Sequence, residues 1–158
     1  MLKISRRKFI TGITVAGAGT CVCSLSGCAS FSKIGNTPAI AAGAYVVENK
    51  QVRIDLAKVP TLGKVGRSVK IIDPKLPQSL IIGRSGDTEY VVVSIKCPHR
   101  GVEVEYTPAA KQFRCASLGH STFALDGTYK NGLAKKSLTK FDAKLDPADK
   151  GSLIISLG

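Results

Sequence analysis

A chain of 158 residues, 44% apolar and 22% charged, has room for one packed domain and a short leading segment. Its net charge of +12 falls to +8 without Lys3, Arg6, Arg7 and Lys8, leaving 19 basic and 11 acidic side chains. That charge is spread, +4 over residues 28–95 and +5 over 96–144, and no basic run is interleaved with aromatics. This excludes nucleic acid as a partner, reads as a solvated basic surface, and suits acidic proteins or anionic lipid.

The first residues, "MLKISRRKFITGITVAGAGTCVCSLSGCAS", run from a basic start through a mildly apolar stretch, Phe9 to Leu25, into small residues. This is the layout of an export segment. "SRRKFI", Ser5 to Ile10, resembles a twin-arginine signal, which carries folded proteins across a bacterial inner membrane. "LSGC", Leu25 to Cys28, resembles a lipoprotein box, with Cys28 as the lipidated first residue of the mature chain. The expected division is a signal over 1–27, a tether over 28–43 and a domain over 44–158, in the periplasm or cell envelope. The alternative is an uncleaved N-terminal anchor, at the short end of what spans a bilayer. Export after folding suits a protein that acquires a metal cofactor in the cytoplasm.

Beyond a small, polar stretch up to residue 43, strand signals recur: "AYVVEN" (44–49), "VRIDL" (52–56), "SVKIID" (68–73), "SLIIG" (79–83) and "EYVVVSIK" (89–96). They continue with "VEVEYT" (102–107), "QFRC" (112–115), "STFAL" (121–125), "LTKFDAKLD" (138–146) and "SLIISL" (152–157). These runs are rich in Val, Ile and Tyr and are separated by Gly, Pro, Asp and Ser. "LDGTY" (125–129) predicts a hairpin turn, with Asp126 and Gly127 in positive backbone dihedrals. No amphipathic helix is evident past the signal. The pattern predicts an all-β sandwich or small barrel.

Of five cysteines, Cys21 and Cys23 fall in the signal and Cys28 carries lipid, so the domain keeps Cys97 and Cys115. The only two histidines, His99 and His120, each follow one of them closely, in "CPHRG" and "CASLGHSTF". A disulfide between the two cysteines is one reading for an exported protein. Two paired Cys/His boxes read instead as a metal site, and zinc or a mixed-ligand iron–sulfur cluster accepts that donor set.

Fifteen residues separate His99 from Cys115, and the segment "CPHRG … C…GHSTF…DG" is similar to the Rieske 2Fe–2S family. There a Cys-x-His box is followed by Cys-x-x-His-Gly-Ser. The resemblance is specific over 97–127. It implies a Rieske-like antiparallel sandwich or small barrel with a cluster-binding subdomain of hairpin loops, 97–103 and 115–124. It also implies Cys97 and Cys115 on one iron and His99 and His120 on the other. The second box departs from the pattern: four residues lie between Cys115 and His120, where the family has two, and Gly119 precedes the histidine.

The resemblance implies further expectations. Ser121 and Thr122, with Ser117 nearby, are the candidate donors around the cluster, but Phe123 stands where high-potential members carry a tyrosine. Phe123 also reads as a plain core residue. Val102 and Ser117 stand where those members form a disulfide, which neither can make. A potential in the lower or middle part of the family range follows. The third loop, "NGLAKKSL" (131–138), lacks proline, and its Lys135 and Lys136 read as an ordinary exposed turn, or as a lure for an acidic partner. The implied function is electron transfer, with no catalysis by this chain alone. Partners would be a cytochrome or a quinol-oxidising or molybdenum-containing subunit. Alternatives are the iron–sulfur subunit of an oxidoreductase complex that oxidises a quinol or an inorganic donor, and a structural zinc lipoprotein.

Overall fold

The computed structural model describes residues 36–158. The export signal, Cys28 and the first part of the expected tether lie outside these residues. The domain is all-β, as expected, with eleven strands and four short 3-10 turns among the described residues. They are β1 (Tyr45–Glu48), β2 (Gln51–Asp55), β3 (Ser68–Ile71), β4 (Leu80–Arg84), β5 (Tyr90–Ser94) and β6 (Val104–Thr107). There follow β7 (Gln112–Cys115), β8 (Thr122–Ala124), β9 (Tyr129–Asn131), β10 (Lys140–Leu145) and β11 (Ser152–Ser156).

Two antiparallel sheets result, one of seven strands in the order β1-β2-β11-β10-β5-β4-β3 and one of four in the order β6-β7-β8-β9. Ten of the strands coincide with the sequence signals. The eleventh, β9, occupies a stretch expected only as the end of a turn. In that turn Gly127 alone takes a positive φ, +84°. Asp126 instead accepts the Thr128 N–H on its carboxylate at 2.9 Å, so the expectation holds for Gly127 and is corrected for Asp126.

The pairing of β4 with β5 explains how the site is supported. Their apolar runs, Leu80-Ile81-Ile82 and Val92-Val93, are buried on both faces, as an uninterrupted hydrophobic run requires. Leu80, Ile82 and Val92 join Val52, Ile54, Leu62, Leu153 and Ile155 in one core. Ile81 and Val93, register partners, point the other way. They join Ile95, Val104, Phe113 and Phe123, together with Cys97 and Cys115. The β4–β5 pair is therefore a wall between two cores, and both cysteines belong to the second.

Residues 37–40, expected as part of the tether, run along β3. The Lys70 N–H donates to the Pro38 carbonyl at 2.8 Å, and the Ile40 N–H donates to the Lys70 carbonyl at 3.0 Å. Thr37 is buried. The edge strand β3 has an unpaired row of backbone groups, and this strap satisfies part of it.

The seam between the sheets holds a buried ion pair. Lys70 alternates with Val69 and Ile71, which face the first core, so its side chain faces the second layer. There Nζ meets Glu103 Oε2 at 2.8 Å, with the two residues 7% and 2% exposed. Lys96 Nζ lies 3.6 Å from the other carboxylate oxygen. Two charges this deep are tolerable only as partners.

Candidate metal centre

The first box grows out of β5. The chain continues through buried Ile95 into Cys97, and a tight hairpin closes at once. The Cys97 N–H donates to the Val102 carbonyl, and the Gly101 N–H donates to the Cys97 carbonyl, both at 2.8 Å. Gly101, at φ +67°, supplies the left-handed step of that turn. The second box follows β7. The Cys115 N–H donates to the Ser121 carbonyl at 2.8 Å, which pinches off residues 116–120 as a loop. The Ala116 N–H donates to the Glu103 carbonyl at 2.9 Å, tying the second hairpin to the first.

Cys97, His99 and Cys115 converge, their ligand atoms all within 4.8 Å of one another. Cys97 Sγ and His99 Nδ1 are 3.0 Å apart. Cys97 and Cys115 are free thiols, each 1% exposed, while His99 is half-buried. His120 stands exposed on its loop with φ +39°, outside this grouping. Four residues, 116–119, lie between Cys115 and His120, two more than the resemblance leads one to expect.

Ser121 is fully buried and organises the surroundings. Its Oγ accepts the Leu133 N–H at 3.0 Å and the Ala134 N–H at 3.1 Å, docking the third loop. Burial pushes the Cys97 thiol up to about 11, helped by Cys115 beside it, while the His99 backbone N–H and the Ser121 hydroxyl pull the other way. Ser117 Oγ lies 3.2 Å from Cys115 Sγ. Thr122 is half-buried on β8, and its hydroxyl makes none of the sulfur contacts among the described residues.

Phe123 is a core residue, fully buried and edge-on to Tyr129 with ring centroids 6.4 Å apart. The Tyr129 hydroxyl donates to the Gly132 carbonyl at 2.7 Å and so braces the third loop. Gly132 has φ +103°, and a Cβ there would meet Ser121 Cα at 2.5 Å, so this contact needs a residue without one. Sequence reasoning missed the Lys70–Glu103 pair, the strap at 37–40 and the exposure of Leu118 and Leu133. Only the placement of Glu103 just after the first box hinted at any of them.

The sequence matches no family model and no curated protein. Solved structures do resemble the domain. The ferredoxin of carbazole 1,9a-dioxygenase from Nocardioides aromaticivorans IC177 overlays with a TM-score of 0.51 at 15% identity, covering 62% of this chain and 93% of that one. The plasma-membrane Rieske protein PetC3 from Synechocystis PCC 6803 gives 0.47 at 20% identity, with 56% and 85% covered. The quaternary ammonium Rieske monooxygenase CntA gives 0.47 at 18% identity, with 62% and 29% covered. At such identities the likeness concerns the fold, and the fold is the Rieske-like β architecture expected from the sequence.

Proposed function

We propose that this domain binds a Rieske-type 2Fe–2S cluster and serves as a one-electron carrier, tethered to a membrane on the exported side. One observation carries the reading: two buried thiols and an imidazole converge from facing hairpins in a domain of this fold. The donor set fits the group. Soft sulfur ligands suit iron–sulfur chemistry, and an imidazole in place of a thiolate marks the mixed-ligand kind. His120, in the second box, is the proposed fourth ligand. When bound, such a cluster supplies a one-electron couple at roughly −150 to +300 mV.

The chain's own residues account for the rest. Cys97 and Cys115 offer sulfurs from inside a core of Ile95, Phe113 and Phe123, which keeps water from beneath the site. Half-buried His99 leaves that core toward solvent, the side on which a partner would approach. The Ser121 hydroxyl, which pulls the Cys97 thiol pKa down, would favour the more negative, reduced state. Attachment through a lipidated Cys28, or through an uncleaved anchor, follows from the N-terminal motifs and keeps the carrier near membrane-bound donors or acceptors.

The test is electron paramagnetic resonance on the reduced full-length protein, with iron, acid-labile sulfide and zinc assayed on the same sample. The expected result is a mixed-ligand 2Fe–2S signal with iron and sulfide in equal amounts. His120→Ala is expected to lose the signal, whereas His120→Cys keeps a cluster at lower potential. A colourless protein containing zinc and no sulfide overturns the reading. A signal unchanged in the alanine variant overturns the role of His120.

A further inference from the structure

Val46, Val65 and Ile72 are 51–56% exposed elsewhere on the described surface, but the three loops around the site stand out in two respects. Leu118 is 97% exposed and Leu133 is 59% exposed. They come from different loops that meet: a Cβ added to Gly119, the residue after Leu118, would lie 2.8 Å from Leu133 Cδ1. The enlarged loop between Cys115 and His120 carries Leu118, which places an apolar side chain at the tip. The second respect is charge. Across residues 97–103, 115–121 and 132–137, every exposed charged side chain is basic: Arg100, Lys135 and Lys136. The one acid there, Glu103, is buried against Lys70 and Lys96.

Resting on the reading above, we propose that this tip is the docking face for an acidic redox-partner protein. Leu118 and Leu133 form its apolar centre, and Arg100, Lys135 and Lys136 form its steering rim. A small apolar centre within a charged rim is the anatomy of a protein–protein contact, and a basic rim selects an acidic partner mainly through the association rate. The loops are prepared for it. Ser121 holds the backbone of Leu133 and Ala134, and Tyr129 holds Gly132, so little order has to be acquired on docking. Half-buried His99 shares the first loop with Arg100, so a docked partner would sit against the proposed exit for the electron.

The test follows oxidation of the reduced, cluster-loaded full-length protein by stopped flow. Two inorganic oxidants read the rim, trianionic ferricyanide and tricationic tris(phenanthroline)cobalt. Two proteins read the whole face, plastocyanin (acidic) and mitochondrial cytochrome c (basic). Ferricyanide and plastocyanin are expected to react fast at low salt and to slow as salt rises, with the opposite trend for the two cationic oxidants. Lys135→Glu with Lys136→Glu should slow plastocyanin by about tenfold or more at low salt. Lys144→Glu with Lys150→Glu, the same change of net charge elsewhere, should have little effect. Leu118→Ser should slow plastocyanin and leave ferricyanide unchanged. Charge-blind rates, equal effects of the two lysine pairs, or an unchanged plastocyanin rate in Leu118→Ser each overturn the proposal. So does Leu118-dependent flotation of the Cys28→Ser chain with phosphatidylglycerol vesicles, which would assign the tip to a membrane. The paramagnetic signal of every variant keeps the two readings apart. A wild-type protein with no signal ends both, and a normal signal with charge-blind kinetics ends only the docking face.

Discussion

Replacing Lys70 by methionine keeps much of the side-chain volume and deletes the ammonium that meets Glu103 at 2.8 Å. The carboxylate left behind is 2% exposed, so water cannot take over. Breaking a buried pair from one side costs about 3–5 kcal/mol. Lys96, 3.6 Å from the second oxygen with its side chain 49% exposed, can move closer, which places the cost near the lower end, about 3 kcal/mol. At a few degrees per kcal/mol for a domain of this size, the melting temperature should fall by about 10 °C. Urea unfolding of the full-length protein measures it, through a lower midpoint at unchanged slope. The double variant Lys70→Met with Glu103→Leu removes both charges and should recover most of the loss. The reasoning fails if the single variant loses less than about 1 kcal/mol, or if the double variant is no more stable than the single.

Ser121→Ala leaves the Leu133 and Ala134 N–H groups without their acceptor and should cost about 2 kcal/mol, read by denaturant unfolding. In a cluster-loaded protein it should also lower the reduction potential, measured by protein-film voltammetry, because the hydroxyl that favours the Cys97 thiolate is gone. Gly132→Ala meets Ser121 at 2.5 Å and a left-handed φ of +103°, and should cost about 3 kcal/mol or more in the same unfolding assay. Raising the Cys97 pKa from 9.0 to about 11 means that the folded metal-free protein keeps a proton the unfolded chain releases. Its stability should hold below pH 9 and decline as pH rises from about 9 towards 11, and Cys97→Ser should flatten that decline in calorimetric scans. At the acid end, Asp73, Asp126 and Asp146 are held below 3.8 first by backbone N–H groups, and Asp149 by the Ser152 hydroxyl. Their contribution is present above that value and should fade as pH drops through the lowered values, which acid titration by circular dichroism detects.

The strands were legible because each large one alternates or runs apolar between turn residues, as in "SLIIG" and "EYVVVSIK". Strand β9 was not, since Tyr129-Lys130-Asn131 is three residues long, mostly exposed, and becomes a strand only by pairing with β8. The strap at 37–40 reads as linker because Thr-Pro-Ala-Ile carries no pattern of its own, and its order comes from the backbone of Lys70. The site was legible as two Cys/His boxes, and three of those four residues meet. His120 stands apart in a loop whose enlargement the sequence displayed without revealing its shape. The Lys70–Glu103 pair was hidden because its members are 33 positions apart and charged residues ordinarily face solvent.

Lys70 has a double engagement. Its backbone both gives a hydrogen bond to the strap and receives one from it, while its side chain braces the carboxylate that follows the first hairpin. A tug on the N-terminal end of the domain would therefore pass, after the Asn36 N–H held by Glu105, to the residue that steadies the Cys97 turn. The strap and the candidate metal centre share one fastening, so slack or strain in the first would be transmitted to the second.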